Sequence, residues 1–90
     1  NYIIASKEQI KKEFLMCLLK GPYEPAINDI VIKDIVSKDL YKKYQHELNT
    51  DDFNEIGDEL EEKGYFKWND DGHLALTIKG LDYLSRFYKG

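Results

Sequence analysis

Ninety residues with one cysteine and a formal charge of −4 describe one domain, with little room for a second. A lone Cys17 excludes an intrachain disulfide and a cysteine metal cluster, and the longest strictly apolar run, Phe14 to Leu19, is far too short to cross a membrane. The composition, 42% hydrophobic and 33% charged, is that of an ordinary soluble domain, and no signal-peptide pattern opens it, so the expected location is cytoplasmic. The chain begins with Asn1 instead of Met, which suggests a start inside a longer polypeptide or a trimmed end.

Charge is unevenly spread. Residues 49–64 hold seven acids and one lysine, a local charge of −6, while the rest of the chain is slightly basic at +2. In chain order, residues 1–5 ("NYIIA") suit an edge strand or a packing arm. Ser6 and Gln9 have capping-box spacing, so a helix is expected to start there, with Ile10, Phe14 and Cys17 as its core stripe and Leu18 at the margin. "GPYEP" (Gly21 to Pro25) ends it, because two prolines cannot continue a helix. "INDIVIKDIV" is β-branched and fits a strand or a helix, whereas "SKDLYKKYQHEL" reads as a helix with Ser37 available as an N-cap. The expectation is one helix from about residue 30 to about residue 46, with Ser37 a point at which it could kink.

Asn49 or Thr50 then caps a helix, "TDDFNEIGDELEE", whose Phe53, Ile56 and Leu60 recur at helical spacing with Gly57 beside them. Asp51 and Asp52 sit at the positive end of its dipole, and Gly64 closes it. Tyr65 to Trp68 is a strand, Asn69 to Gly72 ("NDDG") a hairpin turn, and His73 to Leu76 the return strand. Thr77 caps a last helix with Ile78, Leu81, Leu84 and Tyr88 facing inward.

The predicted order is helix, helix, helix, hairpin, helix: a mainly α fold with a small β hairpin (α+β), filling residues 1–90 as a single winged helix-turn-helix domain. The stretches "DDFNEIGDELEEKGY" (Asp51 to Tyr65) and "LTIKGLDYL" (Leu76 to Leu84) resemble the small bacterial and phage winged-helix proteins of the YjcQ type. Shared are a Phe followed seven residues later by Leu, a Gly-Tyr leading into the strand, and an L-T-x-K-G-x-x-Y-L segment after the wing. The likeness covers residues 50–84, at packing and capping positions. The segment between the first and third helices is longer here, and the wing is shorter. The resemblance implies a regulatory or DNA-associated role.

Charge argues against the usual form of that role. On the third helix Asp51, Glu55, Asp58 and Glu62 align opposite Phe53, with Asn54 at their flank. In ordinary winged-helix docking that stripe would face the groove. Duplex affinity rests on cations that neutralise phosphates, and each close carboxylate–phosphate pair instead costs about 0.5–1 kcal/mol. Only Asn54 on that face suits a base edge, and the chain's one arginine, Arg86, lies on the last helix. Two readings stay open for the stripe: a solvated face that keeps the helix soluble, or an acidic surface that docks on a basic partner or mimics nucleic acid.

The alternative is a DNA-binding transcription regulator that meets phosphates elsewhere. Lys38, Lys42 and Lys43, with Lys33, cluster on the second helical segment among Tyr41 and Tyr44, and the wing offers Lys67, His73 and Lys79. Against this, the same lysines serve to pair with, or balance, the acidic helix. Trp68 is placed either on the wing surface or in the core against the first helix.

No catalytic or metal site is legible. His46 and His73 lack a cysteine, serine or paired carboxylate at a telling spacing, "NDDG" lacks the first and closing acids of a calcium loop, and no Gly-rich phosphate loop occurs. Cys17, on the core stripe, reads as an inert thiol. Expected, then, is a non-enzymatic regulatory or interaction module with no cofactor, small-molecule substrate or membrane, binding a protein partner or itself. Leu15, Met16 and Leu19 point away from the first helix's stripe, so either Tyr2, Ile3 and Ile4 cover them or a second subunit does, together with Tyr83 and Phe87.

Overall fold

A computed structural model describes residues 5–87. Helix α1 (Lys7–Met16) starts where the capping box places it: the Gln9 amide donates to Ser6 Oγ at 3.2 Å and the Ser6 amide to Gln9 Oε1 at 2.8 Å. It runs into a 3-10 turn, Cys17–Leu19, before the prolines. Because α1 packs against both α2 (Lys33–Tyr44) and α3 (Thr50–Glu62), its buried arc is wider than one stripe. Leu15, expected on a second face, is buried in the same core as Ile10 and Phe14. The residues expected to form an N-terminal strand or arm, Tyr2, Ile3 and Ile4 included, lie outside the described residues; Ala5 is buried.

The second helical segment departs from expectation at its start. Helix α2 begins at Lys33, not near residue 30, and Ser37 lies inside it instead of capping it. Residues 29–31 run antiparallel beside the second hairpin strand, after a turn at Asn28. The Asn28 amide donates to Leu76 O at 2.8 Å, the Leu76 amide to Asp29 O at 2.8 Å and the Val31 amide to Leu74 O at 2.9 Å, with Ile30 opposite Ala75. β-branched residues favour this pleated, half-buried setting, and the strand they join needs partners for its amides. The helix ends at Gln45, whose left-handed φ of 55° turns the chain toward α3.

Helix α3 is capped by Asn49, whose side chain accepts from the Asp52 amide at 2.8 Å. Phe53, Ile56, Gly57 and Leu60 are its buried side, as their spacing predicts, and Phe53 stacks on Phe14 of α1 at 4.9 Å. Strands β1 (Phe66–Trp68) and β2 (Leu74–Leu76) pair antiparallel, Lys67 opposite Ala75. Their turn is held by Asn69, whose Oδ1 accepts from the amides of Asp71 and His73.

Helix α4 (Ile78–Phe87) is started by Thr77, whose Oγ1 accepts from the Gly80 amide at 3.0 Å and donates to Gly64 O at 2.6 Å. A Cβ on Gly80 would collide with the Tyr65 carbonyl, so this glycine sets how closely α4 approaches the hairpin. Leu84 is buried and Leu81 partly so. Ile78, expected to face inward, is 72% exposed: it follows the cap directly, and the buried side begins only at Gly80. Tyr88 lies outside the described residues. The described chain is mainly helical, with four α-helices and a two-stranded antiparallel hairpin: an α+β arrangement.

Candidate functional site

The sequence singles out α3, and its polar side is where the described residues concentrate charge. Asp51, Asn54, Glu55, Asp58 and Glu62 are all exposed along it, opposite Phe53 and Ile56. The stripe is flanked on both sides by neighbouring elements. On one flank two lysines of α1 reach across. Lys7 Nζ lies 3.1 Å from Glu59 and 3.6 Å from Glu55, and Lys11 Nζ lies 2.7 Å from Glu59. The bond from Lys11, followed by that from Lys7, holds the Glu59 carboxyl below the usual carboxylate range. The same bond raises Lys11, and for Lys7 the bond to Glu59 acts first, then the charge of Glu55.

On the other flank the hairpin leans on the helix. Trp68 donates its indole N–H to Asp58 Oδ1 at 2.7 Å and its backbone amide to Glu61 Oε2 at 3.0 Å. The indole lies against Gly57, where a Cβ would overlap it, and meets Phe53 edge-on at 6.2 Å. Trp68 is therefore neither a free surface ring nor a partner of α1 alone; it straps β1 to α3. Four of the seven acids are engaged in this way. Asp51, Asp52 and Glu62 have no partner among the described residues, so a narrower anionic strip remains open than the sequence suggests.

The lysines of α2 do not balance α3. Lys43 donates to Glu13 of α1 at 2.8 Å, where Glu13 is buried, and this bond raises the lysine's pKa. Lys20 pairs with Asp39. Lys38, Lys42, Lys67 and His73 are exposed, and Lys79 sits over the Tyr65 ring at 5.6 Å. The lysines that meet the acidic helix, Lys7 and Lys11, lie about fifty residues away in sequence. Their one legible signal is i,i+4 spacing on one face of α1. Glu59, Gly57 and Trp68 were not singled out as a set either. A glycine in the middle of an otherwise good helix was the available clue to a close approach.

The residues expected at a dimer face differ in exposure. Leu15 is buried, and Met16 and Leu19 are partly so. Tyr83 is stacked between Tyr65 at 4.5 Å and Phe87 at 4.8 Å, leaving Phe87 exposed. Burial, then the nearby Asp39, pushes the Cys17 thiol up to about 12, and its Sγ donates to Phe14 O. Among the described residues no cluster of three His, Cys, Asp or Glu is placed to hold a metal ion, and no helix is long and apolar enough to cross a membrane. Comparison with protein-family models, curated proteins and solved structures finds no match.

Proposed function

We propose that this chain is a small winged-helix module of the YjcQ type that acts in regulation by binding a basic protein partner, without catalysing a reaction and without reading DNA through its third helix. The element order supports the winged-helix reading, with Ile30 bridged to Ala75 on the free side of β2 and the β1–β2 hairpin as the wing. The observation that carries the partner chemistry is the exposed strip of Asp51, Asn54, Asp58 and Glu62 on the helix that would otherwise enter a groove. Anionic side chains there repel phosphates and attract a cationic surface. The α1 lysines offset Glu55 and Glu59 only, at the flank.

Charge reversal tests this with two probes of opposite sign. The triple variant Asp51→Lys, Asn54→Lys, Glu62→Lys changes exposed side chains that make no hydrogen bond or ion pair among the described residues. The wild type should bind a lysine-rich peptide at low salt and ignore a fluorescent 20-base-pair duplex. The variant should lose the peptide by at least about tenfold and gain the duplex, with an affinity falling roughly as the third power of salt. Equal duplex binding by both proteins would overturn the reading and favour the regulator that uses Lys38, Lys42 and Lys67.

A further inference from the structure

The acidic strip is one surface; an apolar one lies elsewhere. Tyr23 is 85% exposed, Ile32 47%, Ile35 43% and Ile30 36%. These four side chains line a single groove, with Cys17 and Leu18 among its other walls. Among the described residues its charged walls are Glu24 and Asp29, and no lysine or arginine lines it. Scattered exposed apolar residues are ordinary, but four gathered on one concavity mark an interaction surface.

The backbone beside them narrows the occupant. The bonds from Val31 N–H to Leu74 O and from Leu76 N–H to Asp29 O flank the Ile30–Ala75 pair. Ile30 is therefore a non-hydrogen-bonded partner of Ala75, and its own amide and carbonyl point away from β2. Neither has a partner among the described residues. The opposite edge of the sheet is closed, because Glu61 accepts from the outward amide of Trp68. On the open edge, Asn28 has a left-handed φ of 75° and the Ile32 carbonyl already accepts the first bonds of α2, so the free stretch is one residue long.

A single residue offering both a donor and an acceptor is self-complementary. Across a two-fold axis Ile30 can exchange both bonds with its own symmetry mate. We propose that a second copy of this chain occupies the groove: the two residue-30 edges pair antiparallel, and Tyr23, Ile32 and Ile35 of each copy pack on those of the other. The exposed area of the four residues is about 450 Å² per copy, or about 900 Å² in the pair, the size of a weak, transient interface. The pair is therefore expected to be weak and reversible. The closed edge at Trp68 stops further sheet addition, so assembly ends at two. Both copies are anionic, so salt screens their repulsion and tightens the pair.

Sedimentation equilibrium from 1 to 500 µM, with amide hydrogen exchange at both ends of that range, tests this. Expected is a monomer–dimer equilibrium strengthened by salt, with the Ile30 amide protected only at high concentration. Tyr23→Ser and Ile35→Glu, each at an exposed position, should raise the dissociation constant at least tenfold while the thermal midpoint of the monomer stays put. Phe87→Ser should leave it unchanged. A monomer at 500 µM overturns the proposal. So does a dimer that survives both variants with a freely exchanging Ile30 amide. Neither result touches the charge-reversal experiment, which reads a different surface.

Discussion

Replacing Gly57 by alanine sets two effects of opposite sign against each other. Gly57 lies in the middle of α3, where Gly→Ala ordinarily stabilises an α-helix by about 1 kcal/mol. Here the new Cβ would come within 2.9 Å of Trp68 Cη2, and closer still to Cζ2. The indole cannot give way cheaply. It is a rigid ring set edge-on to Phe53, and its N–H is bonded to Asp58. Overpacking of this kind costs about 1–3 kcal/mol, and the displaced N–H to carboxylate bond about 1 kcal/mol more at a partly exposed site. The overlap wins, leaving Gly57→Ala less stable by about 1–3 kcal/mol, a fall in thermal midpoint of roughly 5–20 °C for a domain of this size. Trp68 is the only tryptophan, so its fluorescence reports both the melt and the ring's environment. The emission should shift to the red in the folded variant. A variant at least as stable as the wild type, with unchanged emission, would refute the strapping of β1 to α3.

Three further outcomes follow from the ion pairs and the thiol. Glu59 is held below the ordinary carboxylate value of 4.5, first by Lys11 and then by Lys7, so its contribution is present above that value and is lost as pH falls through the lower folded one. Glu59→Gln should lower the urea midpoint at pH 7, leave it equal to wild type near pH 2, and flatten the decline between; parallel curves would contradict this. Lys43→Met strands the buried Glu13 carboxylate, whose Oε1 already lacks a partner, and should cost about 2–3 kcal/mol in urea melts, a figure reduced for the lysine's partial exposure. Adding Glu13→Gln should recover most of that loss, and a single variant within 0.5 kcal/mol of wild type would show the pair to be idle. Cys17, raised to about 12 by burial, should react with a disulfide reagent at pH 8 at least about 100-fold more slowly in the native protein than in urea.

Local signals were legible wherever one short stretch decides the outcome. The capping box of Ser6 and Gln9, the buried side of α3, the Asn69–Gly72 turn and the Thr77 cap all rest on residues within a few positions of each other. The start of α2 was not legible, because Ile30 is extended only where β2 offers Ala75 as its neighbour, 45 residues along the chain. The same limit applies to the site. Helical spacing locates the exposed strip on α3, but which of its acids are engaged depends on Lys7 and Lys11 from α1 and Trp68 from β1. Leu15 was misplaced for a related reason. A helical wheel assigns one inner face, whereas a helix packed by two neighbours buries a broader arc.

The proposed function requires that α3 turn outward an anionic surface that a duplex avoids. The most direct measurement is backbone NMR of the wild type titrated with a 20-base-pair duplex at 50 mM salt, where phosphate contacts are favoured. The amides of Asp51, Asn54, Asp58 and Glu62 should hold their positions up to millimolar duplex. Saturable shifts centred on those four residues would contradict it.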